Sequence, residues 1–334
     1  MIPLGVSEKV AFLSRPESYS EGTSAVETKE THMSWVFLTD RHAWKLKKPV
    51  RNDYLDFSTP EARRVDCEQE VTLNRWFAPS VYLSVVPLTV DSRGNLELGG
   101  SRQPIDWLVQ MRRLPADRML DQAIENDSWS SSDLQNVGKL LARFYKDSPR
   151  AQITAAEYRK RLRTDLLSTQ RDLRRSQFAL PVDLVRVIVA AQIKFLEEHP
   201  DLFDERVRAG RVIEAHGDLR AEHVCLERQP VIIDCLEFNR SLRILDTVSE
   251  LSFFALDCAR LGAPRVGELV LETYCHESRD HPASQILQFY KSYHACLRAK
   301  IAVWHLRDDD ANSAKWIQRA IQYLQLAYKL ETAA

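Results

Sequence analysis

Residues 216–223 have the sequence His-Gly-Asp-Leu-Arg-Ala-Glu-His, and residues 231–234, shortly after them, are Val-Ile-Ile-Asp. The first segment places an aspartate, Asp218, in a tight loop that contains glycine. The second is an apolar, β-branched run typical of a short buried strand, and it ends in a second carboxylate, Asp234. Two carboxylates brought together in this way suit phosphoryl transfer: one orients a hydroxyl nucleophile and the other holds the metal on the nucleotide phosphates.

The composition narrows the classes of protein to consider. The chain has 334 residues, enough for one large or two ordinary domains, and 44% of them are hydrophobic and 28% charged, as in globular proteins. A net charge of −1 argues against nucleic acid or a membrane surface as a partner. The six cysteines lack paired spacing, and no apolar run reaches membrane-spanning length. We therefore expect reduced thiols and a cytoplasmic enzyme.

The order of the expected elements predicts an α+β fold. Strand-like segments are concentrated in the first third: Trp35–Thr39, Ala43–Leu46, Val81–Thr89 and Trp107–Met111. Helical spacing covers Pro60–Phe77, Ser131–Tyr145, Ala155–Gln177, Val182–Glu198 and Ser284–Leu330, the last with a break expected at the acidic run 308–310. Asp246 is expected to cap a helix that runs through Cys258 and that Gly262 and Pro264 end.

His-Gly-Asp-Leu followed by a strand and Ile-Asp resembles the catalytic core of aminoglycoside phosphotransferases, choline kinases and their relatives, which have the protein-kinase fold. More narrowly, Leu-Arg-Ala-Glu-His (residues 219–223) and Ile-Ile-Asp-Cys-Leu-Glu-Phe-Asn (residues 232–239) resemble an uncharacterised bacterial branch of that superfamily, often fused to a P-loop ATPase domain. The resemblance runs from about Thr31 to about Pro264. It implies a bilobal protein-kinase-like fold, with a small β-rich lobe over residues 1–112 and a large helical lobe over residues 113–334.

The resemblance also assigns roles to the residues of the two quoted segments. Asp218 would accept or orient the proton of the substrate hydroxyl. His216 is expected to hold the loop by packing or hydrogen bonding, with a general-base role as the alternative. Asp234 would bind Mg²⁺, which prefers carboxylate oxygen, water and phosphate. Glu237 is either a further support of this site or a solvated turn residue.

His223 departs from the family pattern, because it stands where kinase-like loops place a metal-binding asparagine. Imidazole suits softer divalent ions better than Mg²⁺. Three interpretations stay open: the second metal is lost, His223 donates to phosphate, or the protein uses Mn²⁺. A zinc site is a further alternative, although its members match none of the usual ligand spacings: His216, His223, Cys225 and Cys235.

The phosphate-binding lysine is expected in Ala-Trp-Lys-Leu-Lys-Lys, residues 43–48, where alternation places Lys45 and Lys47 on one face. The order Ala-Trp-Lys favours Lys45, and the Leu-Lys ending makes Lys47 the alternative. The lysine's partner is expected on the helix over Pro60–Phe77. Glu70, which precedes apolar residues, is preferred there to Glu68.

The remaining nucleotide contacts depend on backbone and hydroxyl groups. Adenine is expected against the backbone of Gln110, Met111 and Arg112, where an apolar strand leads into a polar connection. The sequence has no Gly-x-Gly-x-x-Gly loop, so hydroxyl and backbone donors near Thr31 and Ser34 are expected to cover the phosphates. It also has no Walker A motif, so the ATPase domain of the resembled branch is expected as a separate partner.

The sequence therefore predicts a kinase that transfers the γ-phosphoryl group of ATP to a hydroxyl of a small molecule, with Mg²⁺ or Mn²⁺, and ATP bound between the lobes. Two alternatives stay open, because function lies in sites rather than in folds. One is a nucleotide-binding pseudokinase or regulatory module. The other is a transferase of the same fold that modifies a protein.

Overall fold

The computed structural model describes residues 5–51, 55–175, 178, 180–307 and 313–332. The chain forms two compact units, the first from Met1–Ala123 with Glu222–Leu242 and the second from Ile124–Ala221 with Arg243–Ala334. The first unit thus includes the late segment 222–242, which the boundary expected at residue 112 would place in the helical lobe. The units are defined by contacts rather than by chain order. One such contact is the isolated β-bridge between Met119 and Cys225, which joins residues 222–242 to the earlier part of the first unit.

The first unit contains an antiparallel sheet of six strands in the spatial order β1-β2-β3-β6-β4-β5. Its strands are β1 Glu27–Glu30, β2 Ser34–Leu38, β3 His42–Lys47, β4 Tyr82–Val90, β5 Leu96–Leu98 and β6 Pro104–Arg112. The four strands expected from the sequence are confirmed with ends shifted by a few residues, whereas β1 and β5 were missed. Both are short strands at the edges of the sheet, and most of their residues are exposed or half-buried, so they lack a strong apolar pattern.

Each face of this sheet carries one helix. On one face Trp44 and Leu46 pack in a cluster with Leu13 of α1, Val6–Leu13. On the other face Ala43 packs against a cluster that includes Val71 of α2, Pro60–Asn74. Because side chains alternate along a strand, Lys45 and Lys47 share the face that α2 covers.

The second unit is mainly helical. The helices after α2 are α3 Leu120–Glu125, α4 Ser131–Asp147, α5 Ala155–Leu173, α6 Val182–Glu198, α7 Pro200–Arg208, α8 Arg240–Arg243, α9 Thr247–Arg260, α10 Pro264–Ser278, α11 Ser284–Trp304 and α12 Ser313–Thr332. Of these, α3 and α8 belong mostly to the first unit. Two short strand pairs are also present: β7 Val212–Glu214 with β10 Ile244–Asp246, and β8 Val224–Cys225 with β9 Val231–Ile232. The second of these pairs belongs to the first unit.

The sequence located several helices well. The predicted span of α6 is confirmed at both ends. Asp246 caps α9 as expected, since its side chain accepts a hydrogen bond from the Val248 N–H at 3.1 Å. Pro264 also occupies the first turn of α10, a helix the sequence reading missed, because a proline that ends one helix equally suits the start of the next. The break expected at residues 308–310 lies outside the described residues.

A buried arginine holds the start of α9 in place. Arg206 on α7 donates to both carboxylate oxygens of Asp246, and it also pairs with Asp280 at 2.5 Å. Arg206 is only 7% exposed, so these charge-assisted bonds offset the cost of burying the guanidinium. The network fixes the first turn of the helix that carries Glu250 and Asp257. In the described part of the chain, no helix is both long enough and apolar enough to cross a membrane.

Candidate functional site

Lys45 lies between two carboxylates of the first unit. Its Nζ is 2.8 Å from Glu70 Oε1 and 2.6 Å from Asp234 Oδ1. Glu70 is fully buried on α2, whereas the side chain of Asp234 is 44% exposed. The predicted set Lys45, Glu70 and Asp234 is thus brought together. Glu68, the alternative partner, instead pairs with Arg64 on the outer surface of the helix.

Lys47 lies two residues further along β3 and faces three carboxylates. Its Nζ is 2.5 Å from Asp66 Oδ2 and 2.7 Å from Glu70 Oε2, and it also donates to Glu237. The side chain of Lys47 is 1% exposed. Of the two interpretations of Glu237, the structure favours a support of the site, because Glu237 is buried rather than solvated.

The turn that carries Asp234 is held by neutral side chains of the first unit. The Asp234 N–H donates to the Tyr82 hydroxyl at 3.0 Å, and the Cys235 N–H donates to Asn74 Oδ1 at 2.9 Å. Asp234 has φ of 64°, in the left-handed region that few residues other than glycine, asparagine and aspartate adopt readily. The sequence reading missed Tyr82 and Asn74, because their roles depend on contacts made more than 150 residues along the chain.

Burial and charge compete in this cluster. Burial disfavours the charged form of Lys45, but attraction to Asp234 and Glu70 raises the pKa of Lys45 well above its usual value. Burial alone would raise the pKa of Glu70, yet Lys45 and Lys47 lower it. Burial dominates at Glu237, whose pKa is raised to about 7 against the opposing effect of Lys47. The cluster therefore holds fixed charges at its lysines and one carboxyl group that titrates near neutral pH.

His223 lies beside Asp234 within the same unit. Its Nε2 is 3.5 Å from Asp234 Oδ2, and the residue is 5% exposed. Among the residues that the structure describes, no three His, Cys, Asp or Glu side chains come together to hold a metal ion. The zinc alternative therefore has no support in the described residues. A single half-exposed carboxylate does fit Mg²⁺, which usually keeps several waters and binds phosphates with one or two protein carboxylates.

The residues expected against adenine lie in the middle of the sheet. Gln110, Met111 and Arg112 on β6 pair with β3 on one side and β4 on the other. The Arg112 N–H donates to the Val81 carbonyl at 2.8 Å, and its guanidinium pairs with Glu227. The Arg112 amide is thus already used within the sheet. The expected contact of adenine with the backbone of residues 110–112 stays a prediction.

Thr31 and Ser34, which are expected to cover the phosphates, close the hairpin between β1 and β2. The Thr31 hydroxyl donates to the Ser34 carbonyl and accepts from the Ser34 N–H, both at 3.0 Å. Ser34 is 3% exposed. These contacts give both residues a structural role in the turn, and their predicted contact with phosphate stays a prediction.

The second unit carries Asp218 in the loop that follows β7. Gly217 has φ of 89°, which allows the tight turn before Asp218. The loop is anchored on Glu250 of α9, which accepts from the Gly217 N–H at 2.6 Å and the His216 N–H at 3.2 Å. His216 is fully buried, and its Nδ1 accepts from the Asp218 N–H, in line with the structural role expected for it.

The sequence analysis did not identify Arg220 and Tyr145, which support the loop of Asp218. Arg220 pairs with the Asp218 carboxylate, with Nη2 2.9 Å from Oδ2. Tyr145 on α4 donates its hydroxyl to Glu250 at 2.8 Å. Burial raises the pKa of Glu250 to about 6, although the backbone N–H groups and Tyr145 oppose the shift. The position of Arg220 two residues after Asp218 was a usable signal, whereas nothing local marks Glu250.

Comparison with known proteins agrees with this architecture. The chain is 29% identical over 282 residues to uncharacterised proteins of Mycobacterium tuberculosis and Mycobacterium bovis, an overlap that covers 83% of this chain and 54% of theirs. The chain thus spans about half the length of the curated relatives it matches. No family model matches the chain.

Two solved structures share its fold. A choline/ethanolamine kinase family protein from Mesorhizobium loti superposes with a TM-score of 0.56 at 14% identity, covering 98% of each chain. Choline kinase from Cryptosporidium parvum gives the same TM-score at 9% identity, covering 98% of this chain and 95% of that one. Identities this low indicate the fold alone. The predicted α+β kinase-like fold, with a β-rich part and a helical part, is confirmed.

Proposed function

We propose that this protein is an ATP-dependent phosphotransferase that transfers the γ-phosphoryl group to a hydroxyl of a small molecule. The observation that carries the proposal is the ammonium of Lys45 bridging Glu70 and Asp234. A lysine held by a buried carboxylate presents a fixed positive charge beside a half-exposed carboxylate. Positioning and charge stabilisation of this kind account for most of catalysis in phosphoryl transfer.

In the proposed reaction the hydroxyl oxygen attacks the γ-phosphorus, and the new O–P bond forms as the bond to the bridging oxygen breaks. ADP leaves with the electron pair, and the hydroxyl proton passes to Asp218. Arg220, 2.9 Å from the Asp218 carboxylate, fixes its orientation. Lys45 neutralises phosphate charge. Asp234 would hold a divalent metal ion, which would supply further neutralisation of phosphate charge.

The fold supports this assignment, since two solved structures that share it are a choline/ethanolamine kinase family protein and a choline kinase. The same fold serves several acceptors, so the acceptor has to be found by experiment. ATP use and the divalent metal are part of the proposal.

The test is a search for acceptors with the full chain. The protein is incubated with ATP, MgCl₂ or MnCl₂, and fractions of a metabolite extract, while ADP formation and phosphorylated products are followed by mass spectrometry. The matched control is Asp218→Asn, which keeps the shape of the side chain. We expect ADP to form in step with one phosphorylated product and only with the wild type. Equal product formation by Asp218→Asn, or no binding of ATP to the wild type, would overturn the proposal.

One observation favours a second candidate, a nucleotide-binding pseudokinase. His223 occupies the position of the family's metal-binding asparagine and lies buried beside Asp234. An imidazole there gives Mg²⁺ no hard oxygen ligand. Tight ATP binding without product in any fraction, with Mg²⁺ and Mn²⁺ alike, would favour this candidate.

A further inference from the structure

The two lysines of β3 differ sharply in their surroundings. The side chain of Lys45 is 14% exposed and contacts Asp234, whose own side chain is 44% exposed. The side chain of Lys47 is 1% exposed, and its carboxylate neighbours are at most 7% exposed. A phosphate arriving from solvent can therefore reach the surroundings of Lys45 without breaking a closed cluster. To reach Lys47 it would have to displace buried carboxylates.

The partners of Lys47 come from separate segments of the first unit. Asp66 and Glu70 lie one helical turn apart on α2, and Glu237 lies three residues after Asp234. Lys47 donates a hydrogen bond to Glu237 and forms ion pairs with Asp66 and Glu70, so three carboxylates share this ammonium. Lys47 thus joins β3, α2 and the turn after β9 at one atom.

Glu70 is shared between the lysines in a way that sets its orientation. Its Oε1 contacts Lys45, and its Oε2 contacts Lys47. With Oε2 held by Lys47, Oε1 is directed at Lys45. Glu237 in the same way ties the turn that carries Asp234 to the strand that carries Lys45.

We propose that Lys47 and Glu237 are positioning residues that hold Glu70 and Asp234 in place for nucleotide binding, and that Lys47 does not contact the nucleotide itself. The role in nucleotide binding rests on the proposed function. The positioning of Glu70 and Asp234 by Lys47 and Glu237 does not depend on it. Removing one partner of a buried charge cluster leaves the other charges uncompensated. We therefore expect every segment that the cluster joins to be destabilised.

The first experiment compares Lys47→Met with Lys45→Met, the same substitution on the same face of the same strand. Hydrogen exchange of the full chain without nucleotide is followed by mass spectrometry. For Lys47→Met we expect exchange to quicken at least about tenfold in residues 66–70 and 231–239, and to a clearly smaller extent for Lys45→Met. Equal effects, or a larger effect of Lys45→Met, would overturn the positioning role.

Calorimetric titration with ADP and MgCl₂ then distinguishes a residue that contacts the nucleotide from one that only positions other residues. We expect Lys45→Met to weaken ADP binding at least about tenfold, because a charge-assisted contact is lost. Lys47→Met should weaken it less, and Lys47→Arg should recover much of the loss because it restores the charge. A greater loss in Lys47→Met than in Lys45→Met would reject the assignment. If no variant and not even the wild type binds ADP, the proposed function fails while the exchange pattern still decides the positioning role.

Glu237→Gln provides a readout that a purely structural role would not move, and it replaces Lys47→Met if that variant does not fold. The charged groups that face Glu237 are Lys45 and Lys47 from β3 and Asp66 and Glu70 from α2. Because burial raises the pKa of Glu237 to about 7, its charge changes across neutral pH. We expect ADP affinity to vary between about pH 6 and about pH 8 by roughly threefold more in the wild type than in Glu237→Gln. Superimposable pH profiles would overturn the role of Glu237.

Discussion

Glu70 and Glu250 are both almost fully buried, yet their surroundings shift their pKa values in opposite directions. Glu70 faces two ammonium groups, which lower its pKa despite burial. Glu250 faces the N–H groups of His216 and Gly217 and the Tyr145 hydroxyl, and burial raises its pKa to about 6. Full charges thus outweigh desolvation where neutral donors do not.

The difference matches what each glutamate holds. Glu70 orients a charged side chain, Lys45, so its own charge must persist across the pH range in which the protein works. Glu250 orients a backbone loop, and a carboxyl group can still accept from one N–H when it is protonated. The first unit therefore holds Lys45 by charge, and the second holds the loop of Asp218 by backbone hydrogen bonds.

The largest expected effect is on stability, from removing the charge of Glu70. Glu70→Gln should lower the free energy of unfolding by about 3 kcal/mol, because two buried lysines lose a shared counter-charge. The matched control is Glu68→Gln on the exposed side of α2, which should stay within about 0.5 kcal/mol of the wild type. Urea unfolding of the three proteins measures both values. Equal losses in the two variants would mean that charge does not fix the first site.

Asp218→Asn tests the loop that Glu250 holds. Turnover should fall on the order of 10²-fold or more, since a positioned proton acceptor is lost. The dissociation constant for ATP should change less than about twofold, because this residue acts on the acceptor hydroxyl in the proposed reaction. Single-turnover kinetics and calorimetry give the two numbers. A matching loss of ATP affinity would show that the loop also serves the nucleotide.

The raised pKa of Glu250 gives a pH prediction with a definite sign. The folded protein binds this proton more tightly than the unfolded chain, so the contribution of Glu250 to stability is greatest at low pH and declines as the pH rises from 4.5 to about 6. Relative to Glu250→Gln, the wild type should lose about 2 kcal/mol of unfolding free energy across that window. Urea unfolding at several pH values measures the difference, in which other titrating groups cancel. A difference that grows with pH would contradict the assignment.

Asp234→Asn should weaken the metal-dependent part of ATP binding about tenfold, because an amide oxygen is a poorer ligand for Mg²⁺ than a carboxylate. Asparagine tolerates the left-handed backbone at this position, so the turn should keep its shape. Titrations with and without MgCl₂ isolate the metal-dependent term. Unchanged metal dependence would remove Asp234 from the metal site.

The smallest expected effect is that of His223→Asn. The fold should survive, and turnover with Mg²⁺ should stay the same or rise modestly, because asparagine supplies the oxygen ligand that imidazole lacks. Parallel assays with Mg²⁺ and Mn²⁺ check this. A fall with both metals would reject simple ligand replacement and leave a direct role for the imidazole.

The sequence predicted the structure best where a short local pattern is typical of one structural role. Asp246 as a helix cap, the apolar run before Asp234 and the alternation that pairs Lys45 with Lys47 all follow from local pattern. Alternation could not tell which lysine is buried, because both lie on the same face and the difference comes from α2 and Glu237. The role of Glu250 could not be predicted either, since this residue lies more than 30 residues along the chain from the loop that it anchors.

The late segment 222–242 has a consequence for synthesis of the chain. A ribosome delivers the sheet and α2 first, and then all of residues 124–221, before it releases the segment that completes the first unit. Until then Lys47 can meet Asp66 and Glu70 but not Glu237, and Tyr82 has no Asp234 amide to accept from. The native first unit therefore closes over a long intervening loop, a step that costs loop entropy and slows folding. We therefore expect the nascent sheet to expose apolar surface to aggregation until residues 222–242 are synthesised.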